Sequence, residues 1–207
     1  MSKIIKIEKE EVPYHGFFQL QRYQLRHSLF AGGMSETISR EVLERGHAVA
    51  VLPYDPVRDE VVMVEQFRIG ALGDTADNAN NAWLLEIIAG MIEPEESVTD
   101  VVHREAEEEA QCHLSQLEKI HTFYVSPGGT SETTALFCGK TDTRQIGDIC
   151  GVEGEHEDIK VHVYSFDEAV TLLEQGKICS AAPIIALQWL QMNRARLRQL
   201  WSTPALS

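Results

Sequence analysis

The segment from Pro94 to Cys112 constrains this chain most, because an ordinary amphipathic pattern there gives way to acids on the face that should stay apolar. A helix is expected over Pro94 to Ala110, with proline in its first turn and acids beside its positive end. Val98, Val101 and Val102 stand at i, i+3 and i+4, the spacing of one inward face. Continuing the stripe leads to Glu105, Ala106 and Glu109, with Glu108 one step around. A run such as Glu107-Glu108-Glu109 is usually a solvated acidic face, but the periodicity turns two of the acids inward. Carboxylates at i and i+4 repel each other, and burying them unpaired costs several kcal/mol. Divalent cations resolve both problems, and hard oxygen ligands suit Mg2+ or Mn2+. A metal site is therefore the expected reading, with a structural acidic face as its competitor.

Charge and length narrow the partners. Net charge is −14, from 32 Asp plus Glu against 18 Lys plus Arg, which is the wrong sign for binding a nucleic-acid backbone. The cluster Arg194, Arg196 and Arg198 suits a solvated helix end. A protein this acidic needs local cations, arginines or metals, if it handles phosphates. The 207 residues suit one domain, or one with a smaller appendage, and no apolar run is long enough to cross a membrane. The N-terminus breaks its apolar residues with charge, so no secretory signal is expected and the protein is read as cytoplasmic. Cys112, Cys138, Cys150 and Cys179 are scattered, which fits reduced thiols.

Along the chain, residues 1–45 read as strand material with a tight turn at Ala31-Gly32-Gly33. An isolated hairpin is marginal, so this segment needs a surface to lie on, its own body or a second subunit. Residues 46–207 read as a compact α/β domain. Strands are expected at Ala48–Leu52, Glu60–Phe67, Trp83–Ile88 (ending at Ala89-Gly90), Ile120–Val125, Ala135–Gly139 and Lys160–Tyr164. Gly73 to Asn81 reads as a loose polar loop. Ser165 with Glu168 forms a capping box for a helix to about Gln175, and Pro183 opens a last helix whose Ile184, Leu187, Trp189 and Leu190 face the core.

Gly90, Glu96, Arg104-Glu105, Ala106 and Glu108-Glu109 stand at the spacings of the Nudix box, a long and specific pattern, and the chain resembles the Nudix hydrolases there. The last glycine of that pattern is Gln111 here, which is expected to affect the helix end and no carboxylate. The resemblance implies an α/β/α sandwich with a mixed sheet, plus a small N-terminal antiparallel β domain. It also implies two or more Mg2+ ions, or Mn2+, on a diphosphate. Glu105 and Glu109 match the family's metal ligands, with Glu108 nearby as a catalytic acid and the Ala89 carbonyl as a backbone ligand. Glu96 and Arg104 match a salt bridge that steadies the loop beside Gly90.

A wider resemblance, from about Tyr14 to Trp189, is to bacterial ADP-ribose pyrophosphatases of that family. It rests on Gly16-Phe17-Phe18, Glu44-Arg45-Gly46-His47-Ala48, Trp83-Leu84-Leu85-Glu86, Ser126 to Glu132 with Pro127, and Glu157-Asp158-Ile159. The reaction it implies is ADP-ribose plus water giving AMP and ribose 5-phosphate. By the same resemblance, Phe17 or Phe18 and Arg40 help hold the adenine from N-terminal strands swapped in a homodimer. Arg68 contacts the diphosphate and Glu132 the terminal ribose. Hairpin core remains the plainer reading of the two phenylalanines, and surface ion pairing that of the two arginines. Glu153 to Asp158 is by default a solvated loop, but Glu155 matches the general base and Glu157 a further metal ligand. His156 and His162 read as surface or packed residues. Hydrolysis of another nucleoside diphosphate sugar, such as GDP-mannose, is the alternative within the class. A non-catalytic ADP-ribose sensor is the alternative outside it, and the intact box glutamates speak against it.

Overall fold

A computed structural model describes residues 2–72, 82–152, 154 and 156–202. The chain divides into two compact units, Met1–His47 with Tyr124–Thr133, and Ala48–Phe123 with Thr134–Ser207.

The first unit is a three-stranded antiparallel sheet, β1 (Ile5–His15), β2 (Gln19–His27) and β3 (Ile38–Glu44), in that order. The turn between β2 and β3 is closed by Gly32 and Gly33, both at positive φ. β1 is a long strand that the hairpin reading did not single out. Its alternation mixes Ile5 and Ile7 with Lys and Glu, and both isoleucines stay more than half exposed. β3 continues into the turn after residue 124, since the Leu43 amide donates to the Gly129 carbonyl at 2.8 Å.

The second unit is an eight-stranded mixed sheet: β4 (Ala48–Asp55), β5 (Glu60–Phe67), β6 (Trp83–Glu86), β7 (Ile88–Met91), β8 (Gln116–Tyr124), β9 (Thr133–Lys140), β10 (Ile149–Cys150) and β11 (Ile159–Ser165). The long path runs β10-β11-β5-β4-β9-β8, with β6 on β5 and β7 on β4. β4 and β9 are parallel, while β4–β7, β5–β6 and β5–β11 are antiparallel. Central strands are apolar on both faces because helices cover both. Val49 and Val51 of β4, Val62 and Val64 of β5, and Ala135 and Phe137 of β9 pack beside Val101, Val102 and Ala106 of α1 (Val98–Ala110). The alternate residues, Leu52, Met63 and Leu136 among them, pack with Phe166 of α2 (Phe166–Glu174) and Leu187 and Leu190 of α3 (Ala181–Ser202). The result is the expected α/β/α sandwich with a mixed sheet. No helix among the described residues is long and apolar enough to cross a membrane.

Several boundaries differ from the sequence reading: the expected Trp83–Ile88 strand breaks at Ile87 into β6 and β7, β8 begins at Gln116, α3 begins at Ala181 ahead of Pro183, and two further differences lie beside α1. α1 starts at Val98, four residues after Pro94, because Ser97 caps it by accepting the Asp100 amide proton. Ala89-Gly90 does not end a strand; it lies inside β7, paired with Val49 and Ala50 of β4. The capping box of α2 forms as expected, with Ser165 and Glu168 bonded reciprocally. The loop Gly73 to Asn81 lies outside the described residues.

Candidate active site

Glu109 follows the apolar stripe of α1 into the interior and is only 2% exposed. Its Oε2 accepts the Ala89 amide proton at 3.0 Å, and its Oε1 lies 3.5 Å from the Gln66 amide nitrogen. Burial pushes its carboxyl up to about 8, against the pull of the Ala89 amide and helped by the charges of Glu105 and Glu157. Arg68 opposes the rise without touching it.

Glu105, one turn earlier, lies over β7. A Cβ built on Gly90 would overlap its side chain from Cγ to Oε1, so glycine is required for this close approach. Burial raises the Glu105 carboxyl as well, Arg104 pulls it down, and Glu108 and Glu157 add to the rise. The Arg104 Nη1 group donates to Glu105 and to Glu108, each at 2.9 Å. Its Nε and Nη2 reach the two oxygens of Glu96 at 3.1 and 3.2 Å. Glu96 in turn accepts the Glu93 amide proton at 3.2 Å, which ties the loop before the helix to Arg104.

The far end of α1 keeps its geometry despite Gln111. That residue adopts the left-handed conformation, φ 48, and its amide donates to the Glu107 carbonyl at 2.9 Å. A later loop then satisfies two more of the last helix carbonyls: Gly147 donates to Ala110 at 2.9 Å and Gly151 to Glu108 at 3.1 Å. This attachment brings the acidic loop to the helix. Glu157 accepts the Val152 amide proton at 3.3 Å, and its charge is felt at both Glu105 and Glu109. Glu155 lies outside the described residues.

Among the described residues, no three His, Cys, Asp or Glu side chains already converge at metal-binding geometry. The donor chemistry nevertheless fits a divalent cation. Glu105 and Glu109 are carboxylates held inside the protein at electrostatic cost, Glu157 adds to that cost, and all three are hard oxygen donors. The Arg104 guanidinium draws Glu105 and Glu108 to one side.

Arg68 stands at the end of β5, where its Nε donates to Glu86 of β6 at 2.7 Å. Glu86 also accepts the Ser180 hydroxyl proton at 2.7 Å. Gln66 and Ser180 are absent from the sequence reading, and Glu86 enters it only within the segment Trp83-Leu84-Leu85-Glu86, with no role. Gln66 carried a legible signal, since it continues the face of Val62 and Val64 and so puts a polar residue where β5 meets α1. The meeting of Glu86 with Ser180 carried none, because it is tertiary. His162 is packed, stacked on Tyr164 with ring centroids 5.6 Å apart and 2.9 Å from Glu65.

In the N-terminal unit, Phe17 is 90% exposed and sits edge-on to Phe18, with centroids 5.0 Å apart. Arg45 places its guanidinium 5.6 Å from the Phe18 ring and 3.5 Å from Glu132, which is only 7% exposed. Phe18, Arg45 and Glu132 thus form one cluster, and Arg45 is a member that residue types alone did not suggest. Arg40 lies opposite Tyr23 on β3, where its Nη1 donates to the Ser39 carbonyl at 2.8 Å.

A family model described as NUDIX domain matches residues 44–198. An ADP-ribose pyrophosphatase of Escherichia coli is 48% identical over 198 residues, covering 96% of this chain and 93% of that one. A GDP-mannose pyrophosphatase of Cronobacter sakazakii is 32% identical, covering 93% and 98%. A solved structure of an ADP compounds hydrolase matches the fold with a TM-score of 0.68 at 18% identity, over 94% of this chain and 96% of that one.

Proposed function

This chain belongs to the Nudix family, and on that premise we propose that it hydrolyses the diphosphate bond of ADP-ribose, giving AMP and ribose 5-phosphate. One observation carries the reading: Glu109 is a buried carboxylate on which the charges of Glu105 and Glu157 also act, an arrangement that a bound cation would stabilise in ionised form. Glu105, Glu109 and Glu157, with the Ala89 carbonyl, would hold Mg2+ (or Mn2+), two or more ions in our reading. Bound there, the cation supplies positive charge to diphosphate oxygens and lowers the pKa of water.

The protein's own groups do the rest. Arg104 and Glu96 fix the turn ahead of α1, so that Glu105 keeps its place over Gly90. Glu108 stands beside them as a further acid. Arg68 offers a fixed cation to the diphosphate in a chain whose net charge is −14. Glu155 orients and deprotonates the attacking water. In the N-terminal unit, Phe17, Phe18 and Arg40 offer flat surfaces to a purine, and Glu132 accepts hydrogen bonds from a ribose.

Exposed apolar side chains on that unit, including Ile5, Tyr14, Phe17 and Phe30, support a homodimer in which the N-terminal strands cover a second copy. The four cysteines are all free thiols, which supports a reducing, cytoplasmic setting.

Two features favour ADP-ribose over GDP-mannose. The relative bearing the first name is the more similar, and Pro127 stands where ADP-ribose pyrophosphatases carry a proline beyond the box. A panel of nucleoside diphosphate sugars with Mg2+, scored by released nucleoside monophosphate, tests the choice. ADP-ribose should give the highest kcat/KM, with AMP as product. A higher value for GDP-mannose would overturn the substrate and leave the diphosphate hydrolysis standing, and binding of ADP-ribose without turnover would indicate a sensor.

A further inference from the structure

We propose that Glu86 is a positioning residue that holds Arg68 by its Nε edge and so aims the rest of the guanidinium at the substrate diphosphate. The proposal rests on the hydrolase reading above, which uses Arg68 and assigns Glu86 nothing.

Three contacts define the device. Arg68 donates from Nε to Glu86 Oε2 at 2.7 Å, while among the described residues its two Nη groups donate to nothing. Glu86 is itself fixed from the other side, since the Ser180 hydroxyl donates to its Oε1 at 2.7 Å. The Arg68 backbone is fixed too, because its amide donates to the Ala82 carbonyl at 2.7 Å, just ahead of β6. Ser180 precedes the first residue of α3, so the last helix of the chain keys the acid that keys the arginine. Each contact lies inside the larger unit.

The chemistry explains why an acid is wanted at this point. A guanidinium presents five N–H donors in a rigid fork, and binding the Nε edge fixes the plane in which both Nη groups point. A free arginine side chain would lose rotamer entropy each time a diphosphate bound, whereas a held one has lost it already. The Glu86 side chain is only 15% exposed, which fixes the acid, while that of Arg68 is 43% exposed and so within reach of a ligand.

A double-mutant cycle tests the proposal with Glu86→Gln, Arg68→Ala and the pair, each checked for an unchanged thermal midpoint. Two readouts are taken: kcat and KM for ADP-ribose with Mg2+, and the dissociation constant of ADP by calorimetry without added metal. Glu86→Gln should raise KM and the ADP dissociation constant about tenfold, and kcat should change by less than about threefold. In the Arg68→Ala background the same substitution should change either value by less than about twofold. Ser180→Ala should show the Glu86 effect in weaker form. Equal effects of Glu86→Gln in both backgrounds would overturn the proposal, as would a wild-type KM and ADP affinity in Glu86→Gln alone. If the wild-type protein leaves ADP-ribose intact, the hydrolase reading fails, and the ADP arm still decides the role of Glu86. Failure of the wild-type protein to bind ADP would overturn both.

Discussion

The side chain of Glu105 occupies the volume in which a β-carbon of Gly90 would have to stand. Helix α1 and strand β7 therefore meet at a point where one partner must be glycine and the other is an acid. Gly90→Ala should push the carboxylate off its position without removing it. Turnover should fall by about a hundredfold or more while the protein stays folded, as for other displaced metal supports. Steady-state kinetics beside circular dichroism checks this, and near-normal turnover would show that the Glu105 position is not needed.

Glu109 gives a pH signature in the absence of metal. Burial pushes its carboxyl up to about 8 in the fold, whereas a glutamate in an open chain titrates near 4.5. Between these values the folded state binds more protons than the unfolded one, so stability falls as pH rises. Urea unfolding in chelator should show a loss of a few kcal/mol from about pH 5 to about pH 8. Glu109→Gln should flatten that slope, raise stability at the alkaline end, and lower turnover by about a hundredfold or more. A wild-type slope in the variant would assign the effect to another group.

The two loop glutamates should separate by metal rescue. Glu155→Gln should lower kcat with little change in Mg2+ dependence, because a base is lost. Glu157→Gln should raise the Mg2+ concentration for half-maximal rate, because an anionic ligand is lost. Extra metal should restore the second variant and not the first. The opposite pattern exchanges the roles, and two fully active variants return the loop to a solvated acidic turn.

Asp59 offers a prediction about stability alone. Its Oδ1 accepts the hydroxyl proton of the fully buried Tyr54 at 2.6 Å and the Arg194 Nε proton at 2.8 Å, and its Oδ2 accepts from Arg198 at 3.0 Å. Burial works to raise this carboxyl, but the Arg194 and Tyr54 hydrogen bonds, with the two arginine charges, outweigh it and hold it low. Its contribution is therefore present above 3.8, the ordinary value of an open-chain aspartate, and is lost as pH falls below it. Asp59→Asn should cost about 3 kcal/mol at neutral pH and leave kcat per folded molecule unchanged. Equal stability of the two proteins in urea would refute the network's importance.

Removing the residues before Glu44 tests assembly. If the N-terminal strands serve both assembly and substrate binding, as proposed, light scattering should change from dimer to monomer and ADP-ribose affinity should fall with it. A monomeric wild-type protein would rule out a swapped site.

Much of the site was legible because helical and strand periodicities are local rules. Val98, Val101 and Val102 predict the inward face of α1, and the same arithmetic predicts that Glu109 is buried, as it is. The capping box at Ser165 could likewise be read directly, since both of its bonds span three residues. Where the reading slipped, a competing local rule won. Pro94 suits a first helical turn, but the Ser97 side chain supplied the better cap, and α1 begins after it. Within the strand material of residues 1–45, β1 is not legible as a strand of its own, because its alternation is half charged and its apolar residues remain exposed.

By itself the sequence determined which acids turn inward, the order of the three helices and most of the strands, the surplus of negative charge, and the spacing that places the chain in its family. Those properties depend on residue type and on the 3.6 and 2.0 residue periods of helix and strand. The tertiary structure alone decided that Glu105 covers Gly90, that the loop from Gly147 to Gly151 caps α1 and carries Glu157 to it, and that Ser180 reaches Glu86. Glu86 and Ser180 are 94 positions apart, and no local period relates them. Their meeting depends on how the strands and α3 pack around a shared core, so it becomes visible only when burial, rather than spacing, selects the neighbours.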